Sequence, residues 1–290
     1  MLLNLREYHR ISPQEPQQAA LDHALALLAR RNIHTVPLAG GSSLVGSSDP
    51  AIEAVVDLQG LGLEAIRLED GALHIGAMAT RAALAQDENA VQIYDGVIAR
   101  AAHSWGGSVQ RNRATVGGAV VVAAPNDPLI VVLLVCDARV VLYTTDGYRE
   151  LPLADFLPRR AELLGAPALI LGVHVSMPSG RIGAALAVVA RTPADSPIVL
   201  AAAALEAEGS RCVSARLALG GLAPMAVRLV EVEAILEGQP ISAELIGSAA
   251  LRVGDLIDPP GDFRGSAEYR RAMACVLSER ALREAGRIAD

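Results

Sequence analysis

The sequence predicts a protein of mixed helices and strands. Three observations carry this. An amphipathic stripe near the N-terminus is followed by short β-branched runs, and turn signals at Glu69-Asp70-Gly71 and Glu208-Gly209 separate paired strand patterns. In the second half, four strand-like segments give way to a series of helical ones.

Ser12-Pro13-Gln14-Glu15 offers an N-cap, a proline at the first helical position and an acidic first turn. Ala19, Ala20, Leu21, Ala24, Leu25, Leu27 and Leu28 then form one stripe, so the first helix is expected to run to about Arg31. Thr35 to Ala39 reads as a short strand leading into Gly40-Gly41-Ser42-Ser43-Leu44, and Ala54 to Leu58 as the next strand. Ala65 to Leu68 and Ala72 to Ala77 form a hairpin. Thr80 caps a helix over 82–85, and a further helix is expected over about 90–103.

Leu129 to Val135 and Ala138 to Tyr143 are two dense β-branched runs around Cys136-Asp137, a composition typical of strands, and Thr144 to Gly147 is a turn. Leu153 to Leu157 begins a short helical connector. The Pro- and Arg-bearing segment after it sets the expected domain boundary, giving units of residues 1–162, divided at about residue 60, and 163–290. Strands follow over 168–176, 184–190, 198–207 and 212–221. Helices are expected over about 229–237, from Ser242, and from a Ser266 cap to about Ala285.

Composition narrows the function. The chain is 52% hydrophobic but only 3% aromatic, so its core is aliphatic, and a net charge of −7 with mixed signs argues against nucleic acid. Cys136, Cys212 and Cys275 are odd in number, far apart and without a C-x-x-C pair, so neither a disulfide framework nor a metal or cluster site is indicated. His34, His74, His103 and His174 are scattered and read as ordinary surface or core residues. Charge follows the first residues too early for a secretory signal, and the longest uncharged segment, 163–180, is broken by prolines and polar residues. A soluble, cytoplasmic protein without a membrane span is expected.

Two glycine turns stand out. In Gln110 to Asp127, donors at Arg111 and Asn112, the Thr115 hydroxyl and the pair Gly117-Gly118 precede an apolar run ending in Pro125-Asn126-Asp127. Glycine lets successive N–H groups converge on an anion with no side chain in the way. Ala39 to Leu44 is a second such turn, with the hydroxyls of Ser42 and Ser43 beside its glycines.

The first of these in chain order reads Ala-Gly-Gly-x-x-Leu, and Arg111 to Gly118 reads Arg-Asn-x-x-Thr-Val-Gly-Gly. With the Asp57-Leu58 strand end, Gly71 to Ala77, Leu219 to Pro224 and Phe263 to Arg271, they resemble the FAD-binding medium subunit of the molybdenum hydroxylases. That group includes aerobic carbon monoxide dehydrogenase and the flavin domain of xanthine dehydrogenase. The resemblance covers essentially the whole chain. It implies an FAD-binding domain of two α+β subdomains, of the PCMH/vanillyl-alcohol-oxidase type, then a carbon monoxide dehydrogenase flavoprotein C-terminal domain of antiparallel sheet and helices.

It also implies a cofactor-binding set of Ala39, Gly40, Gly41, Ser42, Ser43, Leu44, Arg111, Asn112, Thr115, Gly117, Gly118 and Asp127, with Arg191 and Asp195 from the C-terminal sheet. The sequence departs from the family at Ala114, Ala119, Val122 and Ala124, and Asp127 sits one residue nearer Pro125 than usual.

A flavin subunit needs no nucleophile or side-chain base, because the cofactor carries the redox chemistry, so no catalytic residue and no metal ligand is expected. The resemblance implies non-covalent FAD that takes electrons from a small subunit with two [2Fe–2S] clusters and passes them to an external acceptor. A large molybdopterin subunit hydroxylates the substrate, and the three subunits form a heterotrimer or its dimer. Two alternatives stay open. Ala114, Ala119 and Ala124 motivate a non-catalytic scaffold of the same complex that has lost FAD. A free-standing flavin reductase or oxidase is the other, against which stands the lack of a histidine or cysteine set up for covalent flavin attachment.

Overall fold

This is a computed structural model, and it describes residues 4–14, 16–47, 49–192 and 195–289. Glu15 of the expected first cap, and Pro193 and Ala194 near Arg191, lie outside the described residues.

The chain opens with β1 (Glu7–Arg10), α1 (Gln17–Leu28), β2 (Thr35–Leu38) and β3 (Ala54–Asp57), and the strands make a parallel sheet in the order β1-β3-β2. The polar strand β1 has no apolar alternation and escapes sequence reading; its partner β3 is buried along its whole length. Helix α1 starts at Gln17, with Pro16 as its cap, rather than after Ser12. Ile11 is fully buried with its carbonyl directly against Gly60, and Pro13 and Gln14 form a turn, so the helix begins only after them.

A hairpin of β4 (Ile66–Glu69) and β5 (Ala72–Gly76) turns through Asp70 and Gly71, both at positive φ, as a two-residue turn between twisted strands requires. Next come α2 (Arg81–Gln86), capped by the Thr80 hydroxyl, α3 (Glu88–Gln92) and α4 (Val97–His103). One helix was expected over 90–103. Left-handed backbone at Tyr94, Asp95 and Gly96 divides it, because the Tyr94 ring is buried and its hydroxyl reaches the Ser176 carbonyl at 3.3 Å.

Short helices α5 (Ser108–Arg111) and α6 (Val116–Val122) precede α7 (Pro128–Val135), in which all eight side chains are buried. This run has the β-branched composition typical of strands. It is a helix because Asp127 caps it and Pro128 occupies its first position, and periodicity cannot separate strand from helix when every face is apolar. Then follow β6 (Arg139–Thr144), β7 (Gly147–Pro152), α8 (Leu153–Leu163) and β8 (Ala168–Ser176). A five-stranded antiparallel sheet results, in the order β4-β5-β8-β6-β7. The expected boundary at residues 162 and 163 would detach β8, yet β8 lies between β5 and β6, so the middle sheet is complete only at Ser176.

The last part comprises β9 (Ile182–Val189), β10 (Val199–Glu208), β11 (Arg211–Gly220), β12 (Val227–Arg228), α9 (Val230–Leu236), α10 (Ala243–Leu256) and α11 (Ala267–Ala289). Its antiparallel sheet has the order β12-β11-β10-β9. Leu200, Ala202 and Ala204 of β10 join the core around α7, while Ala201, Ala203 and Leu205 join the core beneath α11. Small side chains let helices approach both faces of this strand, which explains its near-continuous alanine run. A third core under α1 joins Ile11, Leu21 and Val56 to Tyr143 and Leu169 of the middle sheet.

Candidate functional site

The turn after β2 holds Ala39 to Leu44. Gly41 has φ +72°, and the turn closes on itself through Val45 N–H to Gly41 O at 3.1 Å and Ser47 N–H to Leu44 O at 3.0 Å. Among the described residues, no acceptor takes the N–H of Gly40, Gly41, Ser42, Ser43 or Leu44, and the hydroxyls of Ser42 and Ser43 are exposed. Successive unengaged amides at a surface turn are the donors from which anion-binding nests are built.

The second turn lies directly against the first. A Cβ on Gly40 would overlap the Arg113 carbonyl oxygen and come within 3.3 Å of the Thr115 methyl. From the other side, Arg113 Nε donates to Gly40 O at 3.2 Å. The two glycine motifs, separated by some seventy residues, therefore share one edge.

Their roles differ. Val116 N–H donates to Ala79 O at 2.9 Å, Gly117 N–H to Ala77 O at 2.8 Å, Gly118 N–H to the Thr115 hydroxyl at 3.1 Å and Ala119 N–H to Thr115 O at 3.0 Å. The amides of Gly117 and Gly118, expected to cradle an anion, already have partners within the protein. Gly117 is glycine because a side chain would strike Ala77, and Thr115, buried, caps α6. This turn braces α6 on β5 and presents Gly118 as bare, half-buried backbone.

Other expected contacts are also redirected. Arg111 donates to the Gly106 carbonyl, and Asn112 is exposed. Asp127 is buried, paired with the equally buried Arg81, and accepts from Leu129 N–H at 3.0 Å, so it holds α7 and is closed to a ligand. The Arg81 guanidinium lies 4.5 Å from the ring centre of Trp105. Ala114 is buried and Ala119 belongs to the core around α7, so neither side chain is a surface group.

From Thr115, α6 runs for about 10 Å, at 1.5 Å per residue, toward the C-terminal domain. It ends at Ala123, in left-handed backbone, with Val121 and Val122 exposed. Beyond it, Pro125 O accepts from Gly221 N–H at 2.8 Å, and Asn126 Nδ2 donates to Ser196 Oγ at 2.9 Å and Pro197 O at 2.7 Å. Arg264 also donates to the Ser196 carbonyl. The loop between β9 and β10, with exposed Arg191 and Asp195, is thus fastened to the far end of the same stretch that carries the second turn. Arg113, Asn126 and Arg264 were not singled out from the sequence. Arg113 stands at a position that the Arg-Asn-x-x-Thr pattern leaves unspecified, and the other two acquire roles only through contacts about 70 residues away.

A polar seam ties the domains elsewhere. Asp137, just beyond the end of α7, pairs with Arg216 at 2.7 Å and with Arg228, which grips the buried Glu233 through two bonds of 3.0 and 2.7 Å. Burial pushes the nearby Tyr94 hydroxyl up to about 12 and raises the Cys136 thiol far above its ordinary range, which leaves Cys136 a packing group. Among the described residues, no group of three His, Cys, Asp or Glu side chains is placed to hold a metal ion.

The arrangement fits a dinucleotide. The first turn offers amides and hydroxyls to a pyrophosphate, and the surface along α6 leads toward the β9–β10 loop. Comparison with known proteins agrees. The model for the FAD binding domain in molybdopterin dehydrogenase matches residues 16–178, and that for the CO dehydrogenase flavoprotein C-terminal domain matches residues 184–285. The chain is 33% identical over 276 residues to the 6-hydroxypseudooxynicotine dehydrogenase complex subunit alpha of Paenarthrobacter nicotinovorans, with 92% of each chain covered. To the xanthine dehydrogenase FAD-binding subunit of Escherichia coli O157:H7 it is 26% identical, covering 98% of this chain and 97% of that one. A chain in the crystal structure of a Cu,Mo-CO dehydrogenase superposes with a TM-score of 0.87 at 26% identity, with full coverage of both.

Proposed function

This chain belongs to the family of FAD-binding flavoprotein subunits of the molybdenum hydroxylases, and from that premise we propose that it is the electron-delivering subunit of such a complex. FAD, when bound, would supply the redox chemistry between the [2Fe–2S] clusters of a small partner subunit and an external acceptor. A large molybdopterin subunit completes a heterotrimer, or its dimer, in the cytoplasm. Among the described residues, no helix is long and apolar enough to cross a membrane.

The chain's own residues bind, orient and screen. The amides of Gly40 to Leu44, with Ser42 and Ser43, hold the pyrophosphate, and Thr115, Gly117 and Gly118 act indirectly by fixing the edge against which that turn rests. Arg191 and Asp195 would serve the flavin end of the cofactor, from a loop fastened by Asn126 and Arg264. The single observation that carries this reading is the run of unengaged amides at Gly40 to Leu44, set against the backbone of the second motif.

The test is reconstitution of the purified chain with FAD, followed by gel filtration and an absorbance spectrum. The wild type should retain flavin, and Gly40→Ala, whose methyl group overlaps Arg113, should lose it. A folded wild type that never acquires a flavin spectrum would overturn the redox role and favour the scaffold.

A further inference from the structure

We propose that Arg113 is the counter-charge for the cofactor's pyrophosphate, and that its guanidinium makes the site select a dinucleotide over an unphosphorylated flavin. The proposal rests on the FAD reading above and adds a residue and a specificity to it.

Position comes first. Arg113 Nε is bonded to Gly40 O, and its Nη2 lies 3.9 Å from where a Cβ of Gly41 would stand. The guanidinium is therefore laid along the glycine turn whose amides are unengaged. Its fork carries five N–H donors, and only the one on Nε has a partner among the described residues. The four on Nη1 and Nη2 are open at the edge of the nest. Of the nearby arginines, Arg81 is buried against Asp127 and Arg111 is bonded to the Gly106 carbonyl, whereas Arg113 is bonded to the turn itself.

Charge comes second. The protein carries −7 overall, and all 25 of its Lys and Arg residues are arginine, so no lysine can serve a phosphate here. The turn from Ala39 to Ser47 contains no basic residue. The amides of Val116 to Ala119 are engaged inside the protein, so the second motif adds no backbone donors. Two negative charges would therefore meet only the dipoles of the first turn unless a cation joined them. Arg113 is the described guanidinium touching that turn, and its planar fork suits phosphate oxygens, which it can bind through two parallel bonds.

Its bond to Gly40 O also fixes the fork before the ligand arrives, so little side-chain entropy remains to be lost on binding. Only the pyrophosphate feels this arrangement. A flavin without phosphate gains nothing from it, and that separates a charge role from general support of the turn.

Titration of FAD and of riboflavin, followed by flavin fluorescence, tests this on full-length wild type, Arg113→Ala and Arg113→Lys at two salt concentrations. Arg113→Ala should weaken FAD by roughly 10- to 100-fold, the size of a lost charge-assisted contact, leave riboflavin unchanged and flatten the salt dependence. Arg113→Lys should restore part of the FAD affinity. Thermal unfolding should be unaltered, since the side chain is exposed. Equal weakening of both ligands would assign Arg113 to the turn's structure alone, and unchanged FAD affinity would exclude it altogether; either overturns the proposal while the FAD reading stands. A wild type that binds no FAD removes that reading and this inference with it.

Discussion

Arg81 and Asp127 form a buried ion pair with an unusual environment. Arg81 has Nε and Nη1 buried without partners, and its cation is faced by the ring of Trp105, the chain's one tryptophan. Removing the carboxylate would leave an uncompensated buried charge. Asp127→Ala should therefore cost about 3–5 kcal/mol in urea unfolding, with Trp105 emission reporting the loss locally. His174 gives a pH test. Burial first, and then the ring of His74 at 4.0 Å, hold its pKa below the ordinary histidine value, against the opposing pull of Glu150. Arg67 and Arg139 sit beside these histidines in cross-strand register, and Glu69 offers a backbone carbonyl to His74. Because the folded state binds this proton less readily than the unfolded chain, stability should fall as pH drops through the ordinary histidine range, near 6.5, and level off below the depressed value. His74→Gln should shrink that fall, measured as the urea midpoint between pH 7.5 and 5.

At the scale of elements, the site is a junction between two turns and one short helix. Neither turn is complete alone. The first supplies amides but needs Arg113 and Thr115 behind it, while the second directs its own amides inward to fix α6 on β5. The division follows from hydrogen bonding. An N–H packed beside an unpaired carbonyl, as Gly117 is beside Ala77, is consumed by it, whereas the turn from Gly40 to Leu44 faces solvent and keeps its donors available. Helix α7 joins the regions, since its cap is Asp127 and just beyond its far end lies Asp137 of the interdomain seam.

For the whole molecule, the core is the binding constraint. The apolar cluster around α7 includes Leu129 and Val131 together with Leu200, Ala202, Ala204 and Ala218 of the C-terminal sheet. A fragment ending at residue 178 would expose this face of α7 to water. It should aggregate or bind a hydrophobic dye, whereas the full chain should unfold in one cooperative step by both circular dichroism and Trp105 emission. A stable, dye-silent fragment with native circular dichroism would show that the two domains do not depend on a shared core.

Much was legible in the sequence where the signal is local. The hairpin at Asp70-Gly71, the caps at Thr80, Ser242 and Ser266, the alternating strands of the C-terminal sheet and the two glycine motifs all depend on residues within a few positions of one another. These motifs also suffice for the family and its cofactor. Where every face is apolar, as in α7, or none is, as in β1, periodicity carries no information, and the identity of the element followed from what packs on it. The same applies to the site. Sequence supplied glycines and hydroxyls, but which amides remain available, why Asp127 is closed and why Arg113 lies over Gly40 were decided by tertiary contacts. A hydrogen-bond donor's availability depends on the acceptors folding brings beside it, and those come from distant parts of the chain.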